Sequence, residues 1–153
     1  MSENKVLSAG AGPAATGPAA PAGRRMATTV YHWGLAAFLL LGGVQIFLAG
    51  LGVFRVFQGA HQAFAPHETV GFVMAGAALV ILVAALLSRP GKAAVAGAAV
   101  LVVQTSLLQS LLAGLGDDHA LYGGLHAFDG LAALGIAAWL WARSRPRKPH
   151  PSR

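Results

Sequence analysis

The stretch that decides the fold is HETVGFVMAGAALVILVAALLS, residues 67–88. Its only acidic or basic side chain, apart from its first residue His67, is Glu68 at the second position. A helix of about 20 apolar residues crosses the roughly 30 Å hydrocarbon core of a bilayer. Main-chain polar groups in lipid must be hydrogen-bonded within their own segment. Residues 67–88 are therefore predicted to form a membrane-spanning α-helix.

Three further stretches have the same length and character: residues 28–51, 93–115 and 119–142. The chain of 153 residues is 56% hydrophobic and only 10% charged, whereas soluble domains carry about 25% charged residues. The sequence therefore predicts an all-α fold, a bundle of four transmembrane helices with up-down topology. Its main partner is then the lipid bilayer.

The basic residues predict how the bundle is oriented. Ten of the eleven Lys and Arg residues lie before the first helix, between the second and third, or after the fourth, and only Arg55 lies on the other side. Positively charged loops remain in the cytoplasm. Both termini are thus predicted to be cytoplasmic.

The segments outside the helices have their own character. Residues 1–25 form an Ala/Gly/Pro-rich tail that is predicted to be disordered, because it cannot bury enough apolar surface to offset the cost of ordering. Residues 26–143 form the membrane domain, and residues 144–153 form a basic tail. The connection 52–66 is consistent either with a short interfacial helix or with a continuation of the first helix.

Several classes of function find no support in the sequence. The chain has no cysteine, which excludes disulfides, thiolate zinc sites, iron–sulfur clusters and c-type heme attachment. It has no glycine-rich phosphate loop, serine nucleophile elbow or HExxH motif. The basic residues flank apolar helices and do not form a face with interleaved aromatics, so no nucleic-acid partner is expected.

The strongly polar membrane residues are concentrated in the half of the bundle away from the basic residues. They are Gln45, His67, Gln109, His126 and Asp129. Polar side chains at membrane depth are costly and usually face the bundle interior or a functional site. This layer is the candidate site.

His67 and His126 are the most informative members of the layer. They lie near the start of the second and fourth helices, which run in the same direction, so both imidazoles should face the same side of the membrane. Two helix-borne histidines in a four-helix membrane bundle commonly hold a heme. Structural roles remain open: His126 hydrogen-bonded to Gln109 or to a carbonyl, and His67 as an interfacial residue. Counted from the flanking basic residues, His67 should lie about 5 residues, roughly 7 Å, farther out than His126.

Three acidic positions have predicted roles near these histidines. Asp129 follows His126 by three residues and shares its helix face, so we expect its carboxylate to orient and polarise the imidazole. Glu68 is predicted to interact with the positive end of the second helix dipole, or to support the site as a proton-handling group. Asp117-Asp118 is predicted to cap the fourth helix.

Several short motifs together resemble one half of bacterial heme A synthase. They are Gly42-Gly43-Val44-Gln45 with Ala49-Gly50-Leu51-Gly52, then His67-Glu68, then Gln109 with Gly114, and finally His126. The chain is also similar to a family of small bacterial four-helix integral membrane proteins. The resemblance implies a protein of the bacterial cytoplasmic membrane in which His67 and His126 are axial ligands of a b-type heme, with Gln109 and Gln45 beside the cofactor.

This chain departs from heme A synthase in two respects. Where that family has an arginine after the second-helix histidine, this chain continues Glu68-Thr69-Val70. The chain also has one bundle where that family has two, so an enzyme with two hemes would require a homodimer.

Three functions are compatible with these patterns. The first is a b-type heme protein that transfers electrons to or from a membrane redox partner or quinone. The second is a non-enzymatic membrane scaffold or subunit, in which the polar layer holds the helices in register. The third is a small metal-binding or transport protein that uses His67, Glu68, His126 and Asp129.

Overall fold

The computed structural model describes residues 21–54 and 63–145, and within them every long element is helical. The helices are α1 (Ala22–Val53), α2 (Ala65–Ser88), α3 (Lys92–Gly116) and α4 (Ala120–Ser144). All four are long and apolar enough to cross a membrane. The predicted all-α class and the four membrane-spanning helices are confirmed.

The first helix begins earlier than its hydropathy indicates. It starts at Ala22, directly after Pro21, and so includes the last residues of the predicted tail 1–25. Hydropathy locates the part of a helix that is compatible with lipid, whereas the helix itself extends beyond that part. Residues 1–20, 55–62 and 146–153 lie outside the described residues, and with them most of both predicted tails and the middle of the 52–66 connection.

The start of α4 differs from the prediction. His119 occupies the N-cap position and no side chain makes a capping hydrogen bond there. Asp117 and Asp118 instead form the turn after α3, in which the Asp118 amide donates to the Leu115 carbonyl at 3.3 Å. Asp117 and Asp118 are therefore part of the turn that ends α3 and do not cap α4.

The four helices form a ring of antiparallel neighbours. Among the described residues, α1 packs on α2, α2 on α3, α3 on α4, and α4 on α1, while the main chains of the diagonal pairs are not adjacent. Gly34 faces Ile81 across the α1–α2 pair, and Gly97 faces Leu140 across the α3–α4 pair. The centre of the bundle therefore belongs to side chains from all four helices.

One half of the bundle is a close-packed apolar core. Its largest fully buried side chains are Phe38, Leu35, Ile81, Leu101 and Leu140. This half lies toward the end that carries Arg24, Arg25, Arg89, Lys92, Arg143 and Arg145, which we name the basic end. The opposite end, named the histidine end, carries His67 and His126.

The outer surface of the bundle is as apolar as its core. Large hydrophobic side chains are exposed along the helices, among them Phe72 at 75%, Leu40 at 73% and Leu121 at 72%. A soluble monomer rarely exposes a contiguous apolar surface of this extent. Lipid is the solvent that suits it, and the chain is accordingly a multi-pass membrane protein.

The third helix contains a π-helical turn, Gln104–Leu108, between two α-helical parts. A π-turn accommodates one extra residue in an α-helix and is frequent at functional sites. Here it lies directly before Gln109, whose amide donates to the Gln104 carbonyl across the turn. The insertion sets the rotation of the α3 residues that face the histidine end.

Candidate functional site

The two histidines predicted to face the same side of the membrane meet inside the bundle. The ring centroids of His67 and His126 are 6.0 Å apart, and the ring planes are inclined by 61°. Their helices, α2 and α4, are diagonal, and their main chains are not adjacent within the described residues. The two imidazoles therefore reach toward each other across the middle of the bundle.

The expected difference in depth between the histidines is absent from the structure. The prediction used the basic residue after each helix as a common reference level. However, α2 continues from His67 to Ser88, and α4 continues from His126 only to Ser144. Because the helices end at different heights, the basic residues do not mark one depth, and the rings are level enough to contact each other.

Each imidazole is held by a main-chain carbonyl of the neighbouring helix. His67 Nδ1 lies 3.1 Å from the carbonyl oxygen of Gln45, and His126 Nδ1 lies 3.1 Å from the carbonyl oxygen of Gln109. A carbonyl oxygen can only accept, so in the neutral form of both rings Nδ1 carries the hydrogen and Nε2 has the lone pair. Metal-ligating histidines usually have this arrangement, because the Nδ1–H bond fixes the tautomer and the ring orientation.

Asp129 is the centre of a buried hydrogen-bond network between α3 and α4. It is only 8% exposed. Gln104 Nε2 donates to its Oδ1 at 2.9 Å, and Gln109 Nε2 donates to its Oδ2 at 2.8 Å. Both carboxylate oxygens thus have amide donors, as a carboxylate removed from water requires.

The role expected for Asp129 is therefore changed. Its carboxylate holds the two glutamine amides, and the His126 Nδ1 lies instead on the Gln109 carbonyl. Gln109 Nε2 also donates to the His126 carbonyl at 2.9 Å. Asp129 thus acts on the imidazole through Gln109, because that glutamine of α3 reaches between the two residues of α4.

Gln45 and Glu68 differ in how closely they approach the histidines. The Gln45 amide is buried, its Oε1 has no partner among the described residues, and its Nε2 lies 3.3 Å from the position that a Cβ on Gly71 would take. Glu68 is exposed in the first turn of α2, which fits the predicted interaction with the helix dipole. No side-chain contact of Glu68 occurs within the part of the chain that the structure describes.

The two histidines belong to equivalent units of sequence. Residues 45–52 read QIFLAGLG and residues 109–116 read QSLLAGLG, which are identical at six of eight positions. In both cases a histidine follows on the next helix with the pattern H-x3-G-x4-G, at residues 67–76 and 126–135. Each glutamine supplies the carbonyl for its histidine, and each glutamine amide faces the glycine four residues after that histidine, Gly71 or Gly130.

The equivalence continues into the apolar core. The buried residues Met74, Ala78 and Ile81 of α2 follow His67 at the same intervals at which Ala133, Ala137 and Leu140 follow His126. In α1, Gly34 faces Ile81 and precedes Gln45; in α3, Gly97 faces Leu140 and precedes Gln109. The second interval is one residue longer than the first. The π-turn in α3 accommodates this extra residue. The hairpins α1–α2 and α3–α4 are thus quasi-equivalent, related by a pseudo-twofold axis between the histidines.

Gln104 is the site residue that the sequence analysis missed. Single residues gave no signal for it, because its role depends on the π-turn that brings it to the same face as Gln109. The repeat QxxLAGLG, at residues 45–52 and 109–116, is a usable signal in the sequence. It would have aligned His67 with His126 and placed the two residues at one depth.

The described residues contain no group of three or more His, Asp or Glu side chains that could hold a metal ion. His119 lies apart from the pair, exposed, with its ring 6.1 Å from that of Tyr122. His61 lies outside the described residues.

No known protein family, curated protein or solved structure matches the chain. The resemblance to heme A synthase stays a prediction, carried by the short motifs quoted above. Function is inferred below from the residues and their geometry.

Proposed function

We propose that the protein binds a b-type heme between His67 and His126 and transfers electrons to or from a membrane redox partner or quinone. The observation that carries the proposal is the pairing of the two rings at 6.0 Å between centroids. A metal–imidazole bond is about 2 Å long, so two imidazoles on opposite sides of one ion have their centroids roughly 6 Å apart. The observed centroid spacing fits a shared ion.

The donor set favours heme over a bare metal ion. Structural zinc sites use four protein ligands and catalytic sites use three, whereas only two histidine nitrogens converge here. A heme brings four equatorial nitrogens of its own and needs only axial ligands from the protein. Because a bare metal ion would need more protein ligands than the two histidines, the predicted metal-binding and transport function ranks last.

The surroundings of the pair suit this role. The carbonyls of Gln45 and Gln109 keep both Nδ1 atoms protonated and both Nε2 atoms available as ligands. Gly71 and Gly130, four residues after the histidines, leave room for the amides of Gln45 and Gln109 beside the pair. Asp129 and Gln104 hold Gln109 in place.

Bound heme would supply one-electron chemistry to the site. Histidines on both sides leave no axial position open for oxygen, so electron transfer suits the site better than oxygenation. The protein's own contribution is to fix both imidazoles and set the polarity around them.

The direction of insertion follows from charge. All six Lys and Arg residues of the described chain lie at the basic end, which supports cytoplasmic termini and a histidine end toward the outer leaflet of the bacterial cytoplasmic membrane. A redox partner or quinone would then approach from the outer half of the bilayer.

The absorbance spectrum of the detergent-purified protein, expressed with ample heme, tests the proposal. We expect a Soret band with sharp α and β bands after reduction, and their loss in both His67→Ala and His126→Ala. His119→Ala is the matched control, because it removes an exposed histidine at the same end and should leave the spectrum unchanged. A stable, colourless wild-type protein would refute heme binding.

The second candidate is a scaffold or subunit without a cofactor. The network of Asp129 with Gln104 and Gln109 favours it, because these bonds join α3 to α4 and would hold the register without any ligand. Under this function the histidine variants lose stability in proportion to one hydrogen bond each, about 0.6–2 kcal/mol, and the wild type has no visible absorbance.

A further inference from the structure

The connection between α2 and α3 is unusual in its choice of residues. It consists of Arg89, Pro90 and Gly91 alone. Arg89 has a φ of 54°, and it is the only non-glycine residue with positive φ in the described part of the chain. Glycine or asparagine normally ends a helix in this left-handed conformation. An arginine there accepts backbone strain, which indicates a use for its side chain.

A groove opens on the outer surface of the bundle beside this connection. Its volume is about 530 Å³. Its walls are the apolar side chains of Leu86, Val95 and Ala96, and its mouth at the basic end is formed by Arg89, Gly91 and Lys92. The groove thus combines an apolar channel that faces lipid with a cationic mouth at the membrane boundary.

The positive charges at this mouth have no acidic counterpart. The acidic residues of the described chain lie toward the histidine half, at Glu68, Asp117, Asp118 and Asp129. Lys92 is also the first residue of α3, where the helix dipole is positive and where the first turn contains no acidic residue. A cation at that position is unfavourable unless an anion is near.

Two other basic side chains of the same end, those of Arg143 and Arg145, lie over tryptophan rings. The Arg143 guanidinium lies 4.9 Å from the centre of the Trp139 ring, and that of Arg145 lies 4.0 Å from the centre of the Trp141 ring. Arg89 and Lys92 have no such partner among the described residues. Their charges are therefore available to a ligand at the groove mouth.

We propose that this groove binds an anionic phospholipid. The phosphate lies between Arg89 and Lys92, and an acyl chain lies along Leu86, Val95 and Ala96. Basic pockets at the ends of membrane helices bind anionic headgroups in this way. The apolar wall favours a lipid over a soluble phosphate, because only hydrocarbon gains from covering it. The site is independent of the histidine pair.

The test is thermal unfolding of the detergent-purified protein with added phosphatidylglycerol or phosphatidylcholine of identical acyl chains. We expect phosphatidylglycerol to raise the Tm of the wild type more than phosphatidylcholine does, and soluble glycerol phosphate to have no effect. The double variant Arg89→Gln/Lys92→Gln should lose this preference. The matched control Arg143→Gln/Arg145→Gln removes the same charge from the same end and should keep it.

Two further variants separate the site from general charge and from misfolding. Arg89→Gly relieves the strained φ and should raise the Tm without lipid while lowering the response to phosphatidylglycerol. Ala96→Phe fills the groove without changing charge and should also lower that response. An equal preference for phosphatidylglycerol in all variants would overturn the proposal, as would a full response to glycerol phosphate.

Discussion

The hairpins α1–α2 and α3–α4 share the residues that hold their histidines and differ at the position three residues after each histidine. Both have a glutamine carbonyl on the histidine Nδ1 and a glycine four residues after the histidine. Three residues after the histidine, however, the first hairpin has Val70 and the second has Asp129. The glutamine carbonyls and glycines that both hairpins share are what a symmetric ligand between two histidines needs. The residue that differs, Val70 or Asp129, belongs to the packing of its own hairpin.

The π-turn explains how the second hairpin can bury a carboxylate. It places Gln104 and Gln109 on one face of α3, so that Asp129 receives an amide on each oxygen. In α1 the residue equivalent to Gln104 is Leu41, which packs against the apolar core. Val70 has no polar side-chain atom and therefore requires no amide donor from α1.

The largest expected effect concerns the shared unit. If the hairpins are equivalent about the pseudo-twofold axis, His67→Ala and His126→Ala should remove bound heme to the same extent, because each deletes one of two identical ligands. Heme content per chain, measured on both variants beside His119→Ala, checks this. Retention of heme by only one of the two variants would break the equivalence.

The next effect concerns the part that differs. Asp129→Leu leaves two buried amides, those of Gln104 and Gln109, without their acceptor, and should lower the free energy of unfolding by about 2–3 kcal/mol. Val70→Leu at the equivalent position is the control and should change it by less than about 1.5 kcal/mol. Denaturation in mixed micelles measures both. Similar small losses in the two variants would mean that the network does not stabilise the bundle.

The network can also be transferred between hairpins. Val70→Asp alone should cost about 2 kcal/mol or more, because it buries a carboxylate with too few donors. Adding Leu41→Gln supplies the amide that Gln104 provides in α3 and should recover about 1 kcal/mol. A double-mutant cycle on unfolding free energies measures the recovery. If the effects of the two substitutions on the unfolding free energy simply add, residue 41 of α1 does not face residue 70 in the way that Gln104 of α3 faces Asp129.

The smallest effect concerns the paired glycines. A Cβ on Gly71 would lie 3.3 Å from Gln45 Nε2, and a Cβ on Gly130 would lie 3.7 Å from Gln109 Nε2. Gly71→Ala should therefore cost about 1 kcal/mol, and Gly130→Ala should be within about 0.5 kcal/mol of the wild type. The same unfolding assay ranks them, and a larger cost at Gly130 would contradict the packing described.

Hydropathy was sufficient to predict four helices, because each segment is long, apolar and nearly free of charge. It also located the polar layer, since buried polar residues stand out against Leu, Val and Ala. Hydropathy could not predict the contacts within the polar layer. Whether the Asp129 side chain contacts His126 or Gln109 depends on the rotation of α3, which the π-turn changes. The depth of His67 was misjudged because basic residues mark where a helix leaves the membrane and not where its partners lie.

We propose that one heme binds within one chain, between His67 and His126 on the pseudo-twofold axis. Electron paramagnetic resonance of the oxidised, detergent-purified protein, with heme and chain concentrations measured on the same sample, tests it most directly. We predict a low-spin ferric signal from two imidazole ligands at one heme per chain. A colourless protein, a high-spin signal, or one heme for every two chains would contradict it.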